Sequence, residues 1–278
     1  MTTEHETKPV EHHGRRIEQE IRIQAPAERV WEAWADPVKI SQWFTDRAEG
    51  FAKPGATIVW YFDAFNYRIS YRVLRAEPGK SYVIRWDDAP GGHEPGVFEV
   101  TLSHHGGETT LRLVQSGFRE GAEWDAEYEG VSSGWIMALA LLKHYAENYF
   151  GQPRASWLLL RPAAFTAEQV VALERTEAGL ARWLTRSGAL PAEGKRFQFT
   201  LQSGEALSGK VLALSKSETC LSWNEVHGTL EFKAFAMGPQ KMVGLRASAW
   251  GGDAARLEAA KPAMEAALDR WAAALAAK

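Results

Sequence analysis

From Ile17 to Ala25 the chain alternates: Ile17, Gln19, Ile21 and Ile23 fall on one side, Glu18, Glu20 and Arg22 on the other. A period of two predicts a strand with one mostly apolar face. Pro26 ends it and suits the first turn of a helix. Val30, Trp31 and Trp34 share one side of a short helix through Ala35; Asp36-Pro37 breaks it, and Ile40, Trp43 and Phe44 mark a second. Five segments rich in aromatic and β-branched residues follow: Thr57 to Asp63, Tyr67 to Glu77, Ser81 to Asp88, Gly96 to His105 and Thr109 to Phe118. The turn sequences Glu77-Pro78-Gly79-Lys80, Ala89-Pro90-Gly91-Gly92 and Gly106-Gly107 separate several of them. These intervals leave no room for helical crossovers, so the strands form an antiparallel meander. Glu123 to Tyr149 then reads as one long helix with the stripe Tyr128, Val131, Trp135, Leu139 and Leu142. Glu123, Asp125, Glu127 and Glu129 near its start suit the positive end of the helix dipole.

Gly151-Gln152-Pro153 ends this pattern, and the second half repeats it. Ser156 to Arg161 is a short apolar strand. Thr166-Ala167-Glu168-Gln169 has the form of a capping box, opening a helix predicted to run towards Arg186. Phe197 to Leu201, Gly209 to Leu214, Thr219 to Asn224, Thr229 to Ala236 and Met242 to Trp250 are predicted strands. Asp253 to Ala276 is an Ala-rich closing helix, which Pro262 either kinks or begins. Residue echoes support a duplication. Gln42-Trp43-Phe44-Thr45 answers Arg182-Trp183-Leu184-Thr185; Tyr71-Arg72-Val73-Leu74 before Trp86 answers Gly209-Lys210-Val211-Leu212 before Trp223. The expected organisation is a disordered tail at 1–16, a first domain at 17–150 and a divergent copy at 154–278.

Composition narrows the class. Of 278 residues, 45% are hydrophobic and 24% charged, ordinary for a globular protein, and no apolar run is long enough to span a bilayer. The polar, His- and Glu-rich start lacks the apolar core of a secretory signal, so a cytoplasmic location is expected. The single cysteine, Cys220, excludes an internal disulfide and a zinc–thiolate cluster. A net charge of −3 argues against nucleic acid as a partner. The halves differ in sign. Residues 1–153 carry 16 basic and 23 acidic side chains, residues 154–278 carry 16 and 12. Such a split favours docking of the two halves, and drift in composition explains it equally well.

A curved antiparallel sheet must cover its apolar face. In the first copy that face carries Tyr67, Ile69, Tyr71 and Val73, then Tyr82, Ile84 and Trp86, then Phe98, Val100 and Leu102, with Leu111 and Leu113 beyond. The long helix supplies the matching stripe. The fold class is therefore α+β, two tandem helix-grip domains, each a curved antiparallel sheet wrapped around a long C-terminal helix. Aromatic residues at strand spacing are packed core or the lining of a cavity. The candidate ligand-binding residues are Tyr67, Tyr71, Tyr82, Trp86, Phe98, Gln115, Trp135 and Leu139.

These residues carry a resemblance. The first copy resembles the SRPBCC superfamily (START-related, Bet v allergen-like) and, within it, the family named for the activator of the heat-shock-protein-90 ATPase. Pro26, Val30-Trp31, Asp36-Pro37 and Trp43 fit its opening; Val73-Leu74, Glu77-Pro78-Gly79 and Trp86 its middle. Gly106-Gly107 to Thr109 and Gln115-Ser116-Gly117-Phe118 fit its later hairpin; Gly134-Trp135, Leu139, Leu142-Lys143 and Tyr145 its final helix. The second copy resembles the superfamily more loosely, through element order, Trp183, Trp223 and the closing helix. The resemblance implies a helix-grip fold, often with an internal hydrophobic cavity, and no single chemistry. Members include lipid and hormone binders, polyketide cyclases and aromatases, ring-hydroxylase subunits and co-chaperones. Eukaryotic co-chaperones of the family carry a separate N-terminal domain that drives ATPase activation. Only the short tail stands there, so no such activation is expected.

Other chemistry is thin. In His12-His13 and His104-His105, neighbours on a strand point to opposite faces and do not chelate one metal, so surface turn residues are expected and no metal site. His144 is expected to face solvent, and Cys220 to be a buried inert thiol. Asp87-Asp88 with His93 and Glu94 makes a polar loop near the expected cavity mouth, where a carboxylate–histidine pair suits acid–base work. No nucleophile elbow, P-loop or dinucleotide fingerprint occurs. The expected function is non-enzymatic binding of a small hydrophobic or aromatic molecule in the first copy, or a stress-related accessory role, with the second copy mainly a docking partner and no cofactor. Two alternatives stand beside it: a cyclase- or hydrolase-like enzyme, and a chaperone-interacting protein with filled cavities.

Overall fold

The computed structural model describes residues 12–87, 96–235 and 240–276, and these fold into two seven-stranded antiparallel sheets. In the first half β1 (Arg15–Ile23) leads into α1 (Ala27–Ala35) and α2 (Pro37–Ser41). β2 (Arg47–Gly50), β3 (Thr57–Phe62), β4 (Tyr67–Glu77), β5 (Ser81–Trp86), β6 (Gly96–His105) and β7 (Glu108–Phe118) follow, and α3 (Asp125–Asn148) closes the unit. In the second half β8 (Arg154–Pro162) precedes α4 (Ala167–Arg175) and α5 (Glu177–Ala181). Then come β9 (Thr185–Ser187), β10 (Arg196–Leu201), β11 (Ala206–Leu214), β12 (Glu218–Trp223), β13 (Gly228–Phe235), β14 (Met242–Trp250) and α6 (Ala254–Ala276). The strand orders are β1-β7-β6-β5-β4-β3-β2 and β8-β14-β13-β12-β11-β10-β9, the same topology twice. No described helix is long and apolar enough to cross a membrane.

The repetition extends to single bonds. The β4–β5 ladder slips between Val73 and Arg75, and the β11–β12 ladder slips between Val211 and Ala213. Each bulge bends its sheet at the same place. Val73 exchanges bonds with Gly55 and Ala56 (2.8 and 2.9 Å), and Val211 with Gly194 and Lys195 (2.8 and 3.0 Å). The Trp43 indole donates to Ala33 O (2.8 Å) and the Trp183 indole to Leu173 O (3.0 Å), pinning the second short helix of each copy to the first.

The structure corrects several boundaries. The helix expected to run on to Arg186 breaks at Thr176, whose backbone is extended (φ −98°, ψ 150°) and whose hydroxyl caps α5 at Gly179 N (2.9 Å). Asp36 does the same for α2, accepting from Val38 and Lys39. β2 and β9 were not predicted because they are edge strands of four and three residues without an apolar run. β1 begins at Arg15, inside the stretch read as a tail, and His12 bridges Glu99 (2.8 Å) and Ser116 (3.1 Å). Pro262 lies inside α6, exposed like Glu258, whose unpaired carbonyl water can satisfy.

Each sheet has its own core, yet the first core takes in Ala213, Cys220 and Trp250 from the second half. The reason is α3, which packs on β1 with one face and on β11 and β12 with another. Gly179 sets how closely α5 approaches α4: a Cβ there would lie 2.1 Å from Ala172 O and 2.7 Å from Leu173 Cα. Gly179→Ala should therefore push the two helices apart and cost about 1–3 kcal/mol, read as a lower urea midpoint. An unchanged midpoint would show that this approach is not tight.

Candidate functional site

Cross-strand pairing places the candidate residues. Trp60 opposes Ile69, Ile58 opposes Tyr71 and Phe62 opposes Tyr67, so these six side chains share a face. Ile84 opposes Phe98, and Phe98 in turn opposes Gln115. Phe98 lies 5.0 Å from Trp135 of α3, and Gln115 Oε1 accepts the Trp135 indole proton at 2.5 Å. Leu139, one turn further along α3, is buried beside them. Tyr71 joins through Trp60, at 4.8 Å between rings. Tyr82 is fully buried further off, edge-on to Trp31 at 6.4 Å. Tyr67 sits at the open end, 42% exposed and stacked on Phe62. Trp86 is half-buried at the end of β5. Asp88, His93 and Glu94 lie outside the described residues. Asp87 accepts from Arg72 (2.9 Å) and from Arg85, and these two cations hold its carboxyl below the usual range, so it is ion-paired.

The sequence reading left out the rings that fill the space behind this wall. Trp34 lies 4.9 Å from Trp43 and 5.3 Å from Phe98; Phe44 lies 5.5 Å from Trp135 and 5.6 Å from Trp60. The signal was present: the apolar sides of α1 and α2 had to face this sheet. Burial pushes the phenols of Tyr71 and Tyr82 up, so both stay protonated donors. Trp31 and Trp43 spend their indole protons on Ser81 O (3.0 Å) and Ala33 O. Trp34 Nε1, Trp60 Nε1 and Tyr82 Oη are buried with no hydrogen-bond partner among the described residues. Each such group costs on the order of 1–3 kcal/mol until something accepts its proton.

Between the β10–β11 hairpin end and α6 lies a cavity of about 340 Å³, walled by Leu201, Trp223, Val226, Ala259, Ala260 and Ala263. Trp223 Nε1 is another buried donor without a partner among the described residues. His144, expected in solvent, is instead half-buried where sheet two covers α3, its Nε2 shielded from water and its ring 6.2 Å from Trp250 and 5.3 Å from Tyr149. Burial pulls His144 down to about 4, against the upward pull of Glu147.

A curved antiparallel sheet closed over a long C-terminal helix, with aromatic side chains between them, defines a helix-grip domain, and this chain has two. Residues 24–147 match the family described as Activator of Hsp90 ATPase homolog 1-like protein. Among solved structures, the chain is similar to the di-domain ARO/CYC BexL from the BE-7585A biosynthetic pathway, at 13% identity over 95% of this chain and 100% of that one, TM-score 0.47. It is similar to the Aha1 dimer from Colwellia psychrerythraea at 21% identity over 50% of this chain and 100% of that one, TM-score 0.44. It is also similar to CalU16 from Micromonospora echinospora at 28% identity over 48% and 76%, TM-score 0.39. No curated protein matches the chain.

His144 gives this site a pH signature. Its folded pKa of about 4 lies below its ordinary 6.5, so between those values the unfolded chain binds more protons. Stability should therefore fall as pH drops from 6.5 to 4, by up to roughly 3 kcal/mol from this group. His144→Leu should remove that share of the acid sensitivity, measured as urea midpoints across the window. Parallel pH profiles for both proteins would refute the assignment.

Proposed function

We propose that the protein binds a small hydrophobic or aromatic molecule without transforming it, and that the first grip is the binding domain. One observation carries the reading: Trp34 Nε1, Trp60 Nε1 and Tyr82 Oη are buried among aromatic side chains with nothing among the described residues accepting their protons. A ligand that offers an acceptor oxygen among these rings repays a cost the empty domain bears. Tyr71, Phe98, Gln115, Trp135 and Leu139 form the wall around it, with Tyr67 and Trp86 at its ends. The groups facing this interior are indoles and neutral phenols, which orient a ligand and have no proton to take up near neutral pH. To enter, the ligand displaces a filling ring, and Phe44, partly buried and stacked on Trp135, is the one nearest the surface.

A second reading has its own observation. The cavity behind Trp223 is open and apolar, with a partnerless indole in its wall, so the second grip holds the ligand without rearrangement.

A panel of lipids and aromatic ketones, phenols and acids, screened by thermal shift and tryptophan fluorescence, tests both. A binder at a hundred times its Kd adds about 2.7 kcal/mol to stability. Trp60→Phe removes a donor but keeps a ring. The relief of an unmet donor and the lost ring volume are each on the order of 1 kcal/mol and opposite in sign, so the empty variant should melt close to wild type. Its affinity for an acceptor-bearing ligand should fall roughly five- to tenfold. Ala260→Trp fills the second cavity and should leave first-grip binding intact. Binding lost in Ala260→Trp and kept in Trp60→Phe transfers the function to the second grip. A panel without a single shift removes ligand binding and leaves the domain acting through its surface, on a chaperone in the remaining reading.

A further inference from the structure

The two domains border a second cavity, of about 410 Å³, between the α2–β3 corner of the first and the outer face of the second sheet. Two cations line it. Arg154, the first residue of β8, donates from Nη2 to Thr45 O (2.5 Å), and Arg246 of β14 donates from Nη2 to Phe44 O (3.0 Å). Among the described residues neither donates a hydrogen bond to a carboxylate: Glu231 Oε1 stands 4.0 Å from Arg246 Nε, and the other oxygen of Glu231, Oε2, pairs with Lys233 (3.3 Å). Arg154 Nη1 is buried with no partner among the described residues. Burial and the neighbouring Arg246 both work against the charge on Arg154, while Asp46 and Glu231 support it from a distance. Two guanidinium groups that repel each other, one with an unused buried N–H face, call for an anion between them.

The remaining lining says which anion. Phe62, Phe65 and Leu158, which lies directly across the ladder from Arg246, give an apolar wall, and Asp46 and Asp63 add two negative charges, Asp46 already accepting from Asp63 N (2.8 Å). A dianionic phosphate is repelled by that pair, whereas a single carboxylate needs only the arginines. We propose that this interdomain cavity binds the carboxylate of a small aromatic or aliphatic acid, gripped by Arg154 and Arg246, with its apolar part on Phe62, Phe65 and Leu158. The site is separate from both grips and stands whether or not they hold a ligand.

Titration of the full chain with naphthoate, its neutral counterpart naphthalenemethanol and inorganic phosphate, followed by calorimetry and tryptophan fluorescence, tests it. Naphthoate should bind saturably, and at least tenfold more tightly than either of the others. Arg154→Gln should weaken it at least tenfold. Ser156→Trp fills the cavity from an exposed position without removing a charge and should abolish binding, which keeps the test decisive should Arg154→Gln fail to fold. Trp60→Phe and Ala260→Trp should leave naphthoate binding unchanged. Undiminished binding in Ser156→Trp would place the acid in a grip and overturn the proposal. So would phosphate binding as tightly as naphthoate, or no naphthoate binding at all.

Discussion

The structure depends on the burial of α3 from two sides. Six consecutive residues, Met137 to Leu142, are all buried, which a helix resting on one sheet does not show. Sheet one takes one face. The other is covered by the outer face of sheet two, the face that an antiparallel sheet ordinarily leaves to water. The charges on that face therefore have to be settled within the protein. Lys233 pairs with Glu218 (3.0 Å), directly across the β12–β13 ladder, and with Glu231 (3.3 Å), whose cross-strand partner is Arg246. Burial pushes Glu218 up, and the two carboxylates outweigh burial at Lys233 and hold it above its usual range. Such a network adds little net stability, but removing one member leaves a bare charge in a dry interface. All four members belong to sheet two, so that sheet settles its own charges on the face it turns to the first domain.

That interface reaches into the first grip. The segment after α2 presents its carbonyls to sheet two: Gln42 O accepts from the Trp250 indole (2.7 Å), Phe44 O from Arg246 and Thr45 O from Arg154. The Phe44 ring, on the same backbone, stacks against Trp135. Moving Phe44 to open the aromatic interior therefore strains bonds made by the second domain. The two domains are coupled through this short segment, and an occupant between Arg154 and Arg246 would act on the same carbonyls. Coupling of this kind needs no change in either sheet.

Much of this was legible in the chain. Alternation from Ile17 and the five aromatic-rich segments fixed which residues share a face, and the echoes around Val73 and Val211 marked the duplication. Depth was not legible. Tyr67, Tyr71, Tyr82 and Trp86 have the same phase, yet one is fully buried and another lies open, because distance from the sheet centre leaves no trace in a period of two. Nor does a period say what fills the space in front of a wall: Trp34, Trp43 and Phe44 arrive there from other elements. His144 was misplaced for a related reason. A single stripe on α3 explains Trp135 and Leu139, but the unbroken run through Leu142 already implied a second covering surface.

The copies share a plan and differ in filling, and the difference traces to their closing helices. Where α3 brings Trp135 and Leu139 to its sheet, the first turns of α6 bring Ala259, Ala260 and Ala263. Large side chains on α3 meet large rings from α1, α2 and β3, so the first interior is packed and its polar atoms are stranded inside. Small side chains on α6 leave the Trp223 indole facing volume instead. A packed grip can respond to a ligand only by rearranging, and an open one by simply filling. The duplication has thus produced one packed interior and one with open volume, joined by the segment that holds Phe44.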